Sequence, residues 1–292
     1  MRHARGLYLS TLMLRRRLSE CSPAEYVSFL DAARAARCAG VCLTTLDHRI
    51  MRAADASDAD IVRLVRERDL ATPIVEAVLG WAKGQDDAAI EGEVAPAVEL
   101  GARAGARVLT AVSLDDALPS LDVAARGFRR VCEIAAGAGM GVALEFLPWG
   151  AIPEIATAWE IVERAGMPNG GILLDTWHWH RRRGGPDFAT LERIPGDRIL
   201  VLQLSDAAGS SDAAAASDGD LMRESIQARR LPGEGAIDLP RLFDALDRID
   251  AAPLIAPEVF SRELADLGPA IMAARVADAC RTALAGRLES PV

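Results

Sequence analysis

The sequence predicts an α/β fold, a (β/α)8 TIM barrel, and three observations carry that expectation. Short apolar runs rich in Val, Ile and Leu alternate along the chain with longer Ala/Arg/Glu/Leu segments of helical period, and eight such pairs can be read. The length of 292 residues suits an α/β barrel kept as one unit, so a single domain over 1–292 is expected. A doubly wound open sheet would carry a glycine-rich phosphate loop after its first strand, and 9–14 contains no glycine.

The first strand is read at 6–9. Arg2 and Arg5 ahead of the apolar run 7–14 resemble the start of a secretory leader. That run is short, Arg15 to Arg17 follow at once, and no small-residue cleavage site appears, so a barrel strand explains it better. The remaining strands fall at 40–44, 73–78, 107–112, 142–146, 171–175, 199–204 and 254–259. Helices are expected at 23–37, 58–68, 87–104, 118–138, 152–165, 187–193, 239–249 and 265–285. Ser22 before Pro23 makes a good N-cap and first-turn pair. Gly139, Gly141 and Gly166 suit helix ends. Between the seventh strand and its helix lies a long connection, 206–235. Its first part is rich in Ala, Ser and Asp, and a helical piece follows near 221–228. It is either a flexible surface loop or a lid, on the side of the barrel where active-site loops sit.

Composition excludes several classes. A net charge of −9 argues against nucleic acid, which needs a basic face. No stretch approaches the apolar length of a membrane span. Cys21, Cys38, Cys42, Cys132 and Cys280 form no CxxC pair and are expected as reduced thiols, in keeping with a cytoplasmic protein. Lys83 is the only lysine, so a Schiff-base mechanism has a single candidate amine.

Catalytic groups of a barrel come from the C-terminal ends of its strands. Four consecutive strands here are apolar until each delivers one polar group: Glu145, Asp175, Gln203 and Glu258. Three unpaired carboxylates buried together would be costly, and a divalent cation removes that cost. An all-oxygen set of this kind favours Mn2+, with Mg2+ or Co2+ as alternatives.

The runs LEFLPW, GGILLDTWH, VLQLSD, RRLPGEG and PEVF resemble the ordered motifs of the xylose-isomerase-like superfamily of sugar isomerases and epimerases. The resemblance implies that Glu145, Asp175, Gln203 and Glu258 bind one metal ion and that the two glutamates move a proton. It also implies that His178 and one arginine, Arg229 or Arg230, bind substrate oxygens. Many relatives carry histidine where Gln203 stands, and ketose 3-epimerases carry a second carboxylate where this chain has Ala151.

The implied activity is a metal-dependent isomerase or epimerase of a sugar or keto-polyol, abstracting a proton next to a metal-bound carbonyl. The alternative is a hydro-lyase acting on an inosose-like or dehydroshikimate-like cyclic ketone. The expected partner is a small polyhydroxylated substrate; no nucleic acid and no membrane are expected, and a homo-oligomer is compatible with the sequence. His178 could orient a hydroxyl or act as an acid, while His180 is assigned to the surface. Trp149 and Trp177 could wall the pocket or pack the rim, and His48 could line the pocket or belong to a capped turn with Asp47. Glu234, in Pro-Gly-Glu-Gly, is expected to stabilise its turn.

Overall fold

A computed structural model of the chain describes residues 6–15, 21–209 and 216–288. Arg2, Arg5, Arg16, Arg17 and the 210–215 part of the Ala/Ser/Asp-rich stretch lie outside the described residues. The strands are β1 (Tyr8–Ser10), β2 (Gly40–Thr44), β3 (Ile74–Val78), β4 (Val108–Ala111), β5 (Gly141–Glu145), β6 (Gly170–Asp175), β7 (Ile199–Leu204) and β8 (Leu254–Pro257). They form one sheet in sequence order, each strand parallel to the next. A parallel bridge between Leu7 and Ile255 joins the two ends, so the expected barrel is observed.

The helices cover the outside: α1 (Pro23–Ala35), α2 (Thr45–Ala53), α3 (Asp58–Arg66), α4 (Asp87–Ala104), α5 (Leu121–Ala136), α6 (Ile155–Ala165), α7 (Thr176–Arg181), α8 (Phe188–Leu191), α9 (Asp218–Gln227), α10 (Leu239–Arg248), α11 (Arg262–Ala265) and α12 (Pro269–Ala283). Ser22 caps α1 as expected, in a full capping box with Glu25. The helix expected at 265–285 begins at Pro269, after Gly268 at φ +89°, and the short α11 precedes it. Besides α11, two helices, α2 and α7, were not expected. Thr44 accepts from the amide of Asp47 and starts α2, and Asp175 accepts from the amides of Trp177 and His178 and starts α7.

Strand alternation sorts the side chains into layers. Tyr8, Cys42, Ile74, Val108, Ala143, Leu173, Val201 and Ala256, one from each strand, form an apolar cluster of their own, separate from the cluster between barrel and helices. Two residues further along each chain, on the same face, stand Ser10, Thr44, Glu76, Thr110, Glu145, Asp175, Gln203 and Glu258. An apolar floor is thus overlaid by a polar ring at the C-terminal end of the strands.

The connection after β7 is anchored at its base. Asp206 and Arg230 pair as an antiparallel bridge. The buried Asp206 carboxylate accepts from the amides of Ala207, Gly233, Gly235 and Ile237, at 2.8–3.1 Å. Gly233 sits at φ +86°, and a Cβ on Gly235 would fall 2.3 Å from Asp206 Oδ1, so both positions require glycine. The turn is therefore held by Asp206, not by the exposed Glu234.

Candidate active site and metal centre

A cavity of about 200 Å³ opens above the polar ring, with Glu76, Glu145, His178, Gln203, Arg229 and Glu258 on its polar side. Its rim is apolar and includes Leu12, Leu114, Leu147, Trp149, Ile226 and Phe260. Glu145, Asp175 and His178 each present a ligand atom, and the three atoms lie within 4.8 Å of one another. His178 Nε2 stands 3.4 Å from Glu145 Oε1 and 3.8 Å from Asp175 Oδ2. The histidine expected to touch substrate thus stands beside two of the expected ligands, in a group of mixed oxygen and nitrogen donors. An imidazole beside carboxylates admits zinc as well as manganese.

Gln203 and Glu258 flank this group. Gln203 Nε2 lies 3.2 Å from Glu258 Oε1 and 3.3 Å from Glu76 Oε1, while Gln203 Oε1 is buried without a hydrogen-bond partner. That orphaned oxygen, beside two carboxylates and an imidazole, fits a divalent cation. Glu76 was not singled out from the sequence. It projects from the middle of β3, accepts from Ser10 Oγ at 3.0 Å, and is 4% exposed.

The structure separates the two arginines. Arg230 is exposed, and its backbone pairs with Asp206. Arg229 is 2% exposed and packs across the ring. Its Nη1 donates to Asp175 Oδ2 at 2.6 Å and to the Glu258 carbonyl at 3.1 Å, and lies 3.4 Å from Glu258 Oε2. Its Nε and Nη2 donate to the Ser225 carbonyl and hydroxyl at the end of α9. Arg229, from the connection after β7, is thus packed into the site.

Electrostatics follow from this crowding. Burial pushes Glu76 up to about 7, with the Glu145 charge adding to it and hydrogen bonds from Ser10, Cys42 and Gln203 opposing it. Burial also holds Glu258 well above the carboxylate range; Arg229 opposes it, and the charges of Glu76, Glu145 and Asp175 reinforce it. Burial alone would raise Asp175, but Arg229 and His178, with the hydrogen bonds it accepts, bring it below its ordinary value.

Other expected site residues lie elsewhere. His48 is on α2, and its Nε2 meets Asp58 of α3 at 2.9 Å, away from the cavity. Trp177 is fully buried behind the site. It packs edge-on to Trp149 and His178, under the guanidinium of Arg229, so it supports the wall instead of facing the cavity. His180, assigned to the surface, is only 4% exposed, because α7 turns it inward. Lys83 pairs with Asp115 at 2.6 Å and does not line the cavity, so the site has no amine for a Schiff base.

A closed α/β barrel with buried carboxylates, an amide and an imidazole at its C-terminal mouth is the arrangement of barrel enzymes, whose sites are built from strand ends. The chain belongs to the xylose isomerase-like TIM-barrel family, whose model matches residues 30–281. It is 31% identical over 125 residues to a 3-dehydroshikimate dehydratase of Pseudomonas aeruginosa, over 42% of this chain and 18% of that protein. It is 29% identical over 133 residues to an inosose isomerase of Bacillus subtilis, over 45% of this chain and 44% of that protein. The match therefore spans less than half the length of either relative. In fold, the chain is similar to the crystal structure of the IOLI protein with a bound zinc atom. The TM-score is 0.81 at 19% identity, over 98% of this chain and 100% of that one. Among the described residues, no helix is long and apolar enough to cross a membrane.

Proposed function

We propose that this chain is a divalent-metal-dependent isomerase or epimerase acting on an uncharged keto-polyol, by proton abstraction next to the carbonyl. The observation that carries this reading is the polar ring, in which Glu145, Asp175, His178, Gln203 and Glu258 converge under one cavity. When bound, a divalent cation supplies Lewis-acid polarisation of the carbonyl and a neighbouring hydroxyl, which acidifies the adjacent C–H. Manganese is the proposed resident ion, with zinc, magnesium or cobalt as substitutes.

The protein groups divide the remaining work. Glu258 is buried and lines the cavity, where its carboxylate can reach a C–H of a bound substrate. Glu145 comes from β5 and Glu258 follows β8, so the two approach a bound substrate from different strands. Proton return to the opposite face gives an epimer, and return to the neighbouring carbon gives an aldose–ketose isomer. The apolar rim covers the carbon framework and limits water. Among the described residues lining the cavity, Arg229 is the one arginine or lysine, and its donors are committed to Asp175, Glu258 and Ser225. That commitment favours an uncharged substrate over a phosphate or carboxylate.

The match to a 3-dehydroshikimate dehydratase supports a second reading, in which a β-hydroxyl leaves after the same proton abstraction. The two are separated by incubating metal-loaded protein with inososes, ketoses and dehydroshikimate in deuterated water. Isomerisation or epimerisation conserves mass apart from deuterium uptake at one carbon. Dehydration loses water: an inosose then gains enone absorbance in the ultraviolet, and dehydroshikimate, already an enone, gains that of an aromatic ring. Turnover of dehydroshikimate with no exchange in any uncharged ketone overturns the first reading.

A further inference from the structure

Glu76 has no part in proton transfer as proposed above, yet it is a buried carboxylate in the wall of the same cavity. It reaches Gln203 from β3, across the barrel from β7. A glutamine amide offers two donor hydrogens on nitrogen and an acceptor oxygen, and a half-turn of the group exchanges them. Only the oxygen can serve a cation. Here Nε2 has two acceptors, Glu258 Oε1 at 3.2 Å and Glu76 Oε1 at 3.3 Å, and Oε1 has no hydrogen-bond partner. Exchanging the two would leave both amide hydrogens without these acceptors and bring Oε1 against two carboxylate oxygens. Glu76 is itself fixed by Ser10 Oγ, which donates to its other oxygen at 3.0 Å.

We infer that Glu76 is a positioning residue: with Glu258 it accepts the Gln203 amide hydrogens and so locks the Gln203 oxygen as the ligand atom. The inference rests on the metal reading and extends it to a residue on the opposite side of the barrel. A glutamine ligand needs such a partner more than a carboxylate does, because a carboxylate presents oxygen in either orientation.

The test measures metal binding, not turnover. Mn2+ and Co2+ are titrated by calorimetry into the wild-type chain and into Glu76→Leu, Glu76→Gln, Gln203→Glu and Glu76→Leu/Gln203→Glu. The visible Co2+ spectrum is recorded for each. Leucine fills the carboxylate's space without an unpaired charge, and circular dichroism checks the fold. The expected result is a loss of affinity of about 10–100-fold for Glu76→Leu, with a shifted Co2+ spectrum. Glu76→Gln keeps an acceptor oxygen and holds most of the affinity even though it lacks the charge. In the Gln203→Glu background, Glu76→Leu costs no more than about twofold, the margin within which independent sites add. An equal loss in both backgrounds, or a loss for Glu76→Gln as large as for Glu76→Leu, makes Glu76 a source of charge and overturns the positioning role. Should Glu76→Leu not fold, Glu76→Gln and Ser10→Ala carry the test: an unchanged affinity and Co2+ spectrum in Ser10→Ala overturns it too. A wild-type chain that binds neither ion overturns the metal reading itself, a separate outcome.

Discussion

Two buried arginine–aspartate pairs sit near the barrel mouth, and they differ in what surrounds them. Arg15 meets Asp47 beside β1 and β2. The other Asp47 oxygen accepts from Thr11 Oγ1 at 2.5 Å and Thr44 Oγ1 at 2.7 Å. Two neutral hydroxyls thus complete the shell of the Asp47 carboxylate. Arg229 meets Asp175 on the far side, but there Glu76, Glu145 and Glu258 crowd the same guanidinium or its neighbours. Four carboxylates are set against one arginine, and an amide oxygen is left over. Burial of an ion pair is common to both. Among the described residues, the second site sets several carboxylates around one guanidinium beside an amide oxygen without a hydrogen-bond partner, a combination that suits a cation.

The comparison breaks most visibly if proton transfer does not depend on the crowded pair. Glu258→Gln is expected to cut exchange of the substrate C–H with solvent deuterium by about 10³-fold or more, with the fold intact. Exchange at the wild-type rate would remove Glu258 as the base. Chelation with EDTA is expected to act as strongly, with about one ion per chain in the active protein and recovery on adding Mn2+ or Co2+. Full activity in protein proven metal-free would end the metal assignment.

Next in size is the contrast between the arginines. Arg15→Ala leaves the buried Asp47 charge unpaired and is expected to cost about 3–5 kcal/mol of stability in urea unfolding. Metal affinity of the folded fraction should stay unchanged. Arg229→Ala removes the counter-charge from a site that a cation can rebalance. Its loss of stability should shrink when Mn2+ is saturating, while kcat falls about 10–100-fold because Asp175 and Glu258 lose their common anchor. If metal rescues the two variants equally, the proposed difference between the pairs fails. The smallest effects are expected at the excluded positions: Arg230→Ala and His48→Ala should keep kcat and KM within about twofold of wild type, the margin for independent sites. A large KM change in Arg230→Ala would reopen its role as a substrate contact.

The barrel was legible because fully buried parallel strands read as apolar runs of near-constant spacing. The runs at 40–44 and 199–204 coincide with β2 and β7 at both ends. Glu145, Asp175, Gln203 and Glu258 were visible because each closes such a run. Glu76 was not, because it interrupts one: in Ile74-Val75-Glu76-Ala77-Val78 a polar residue in mid-strand looks like a solvent-facing position. The signal that finds it is its offset. It stands two residues after the floor residue Ile74, as Glu145 does after Ala143 and Gln203 after Val201. Trp177 was left between two readings and His180 was misread, both for a different reason. Asp175 caps α7 while also belonging to the donor group, so the chain turns helical at once and draws both side chains inward. A residue that serves as strand end, cap and donor gives no separate signal for each.

The Asp206 clasp bears on how this fold can diversify. Because one carboxylate gathers the amides of Gly233, Gly235 and Ile237 at the root of the connection, the chain leaving β7 and the chain entering α10 are tied together whatever lies between them. Lengthening a tied excursion costs little, about 0.6 kcal/mol for each doubling. A change of length in the connection thus costs little in closure entropy, with its two ends held by the clasp. Diversification of this family can proceed there by changes of length, with new rims grown over an unaltered floor.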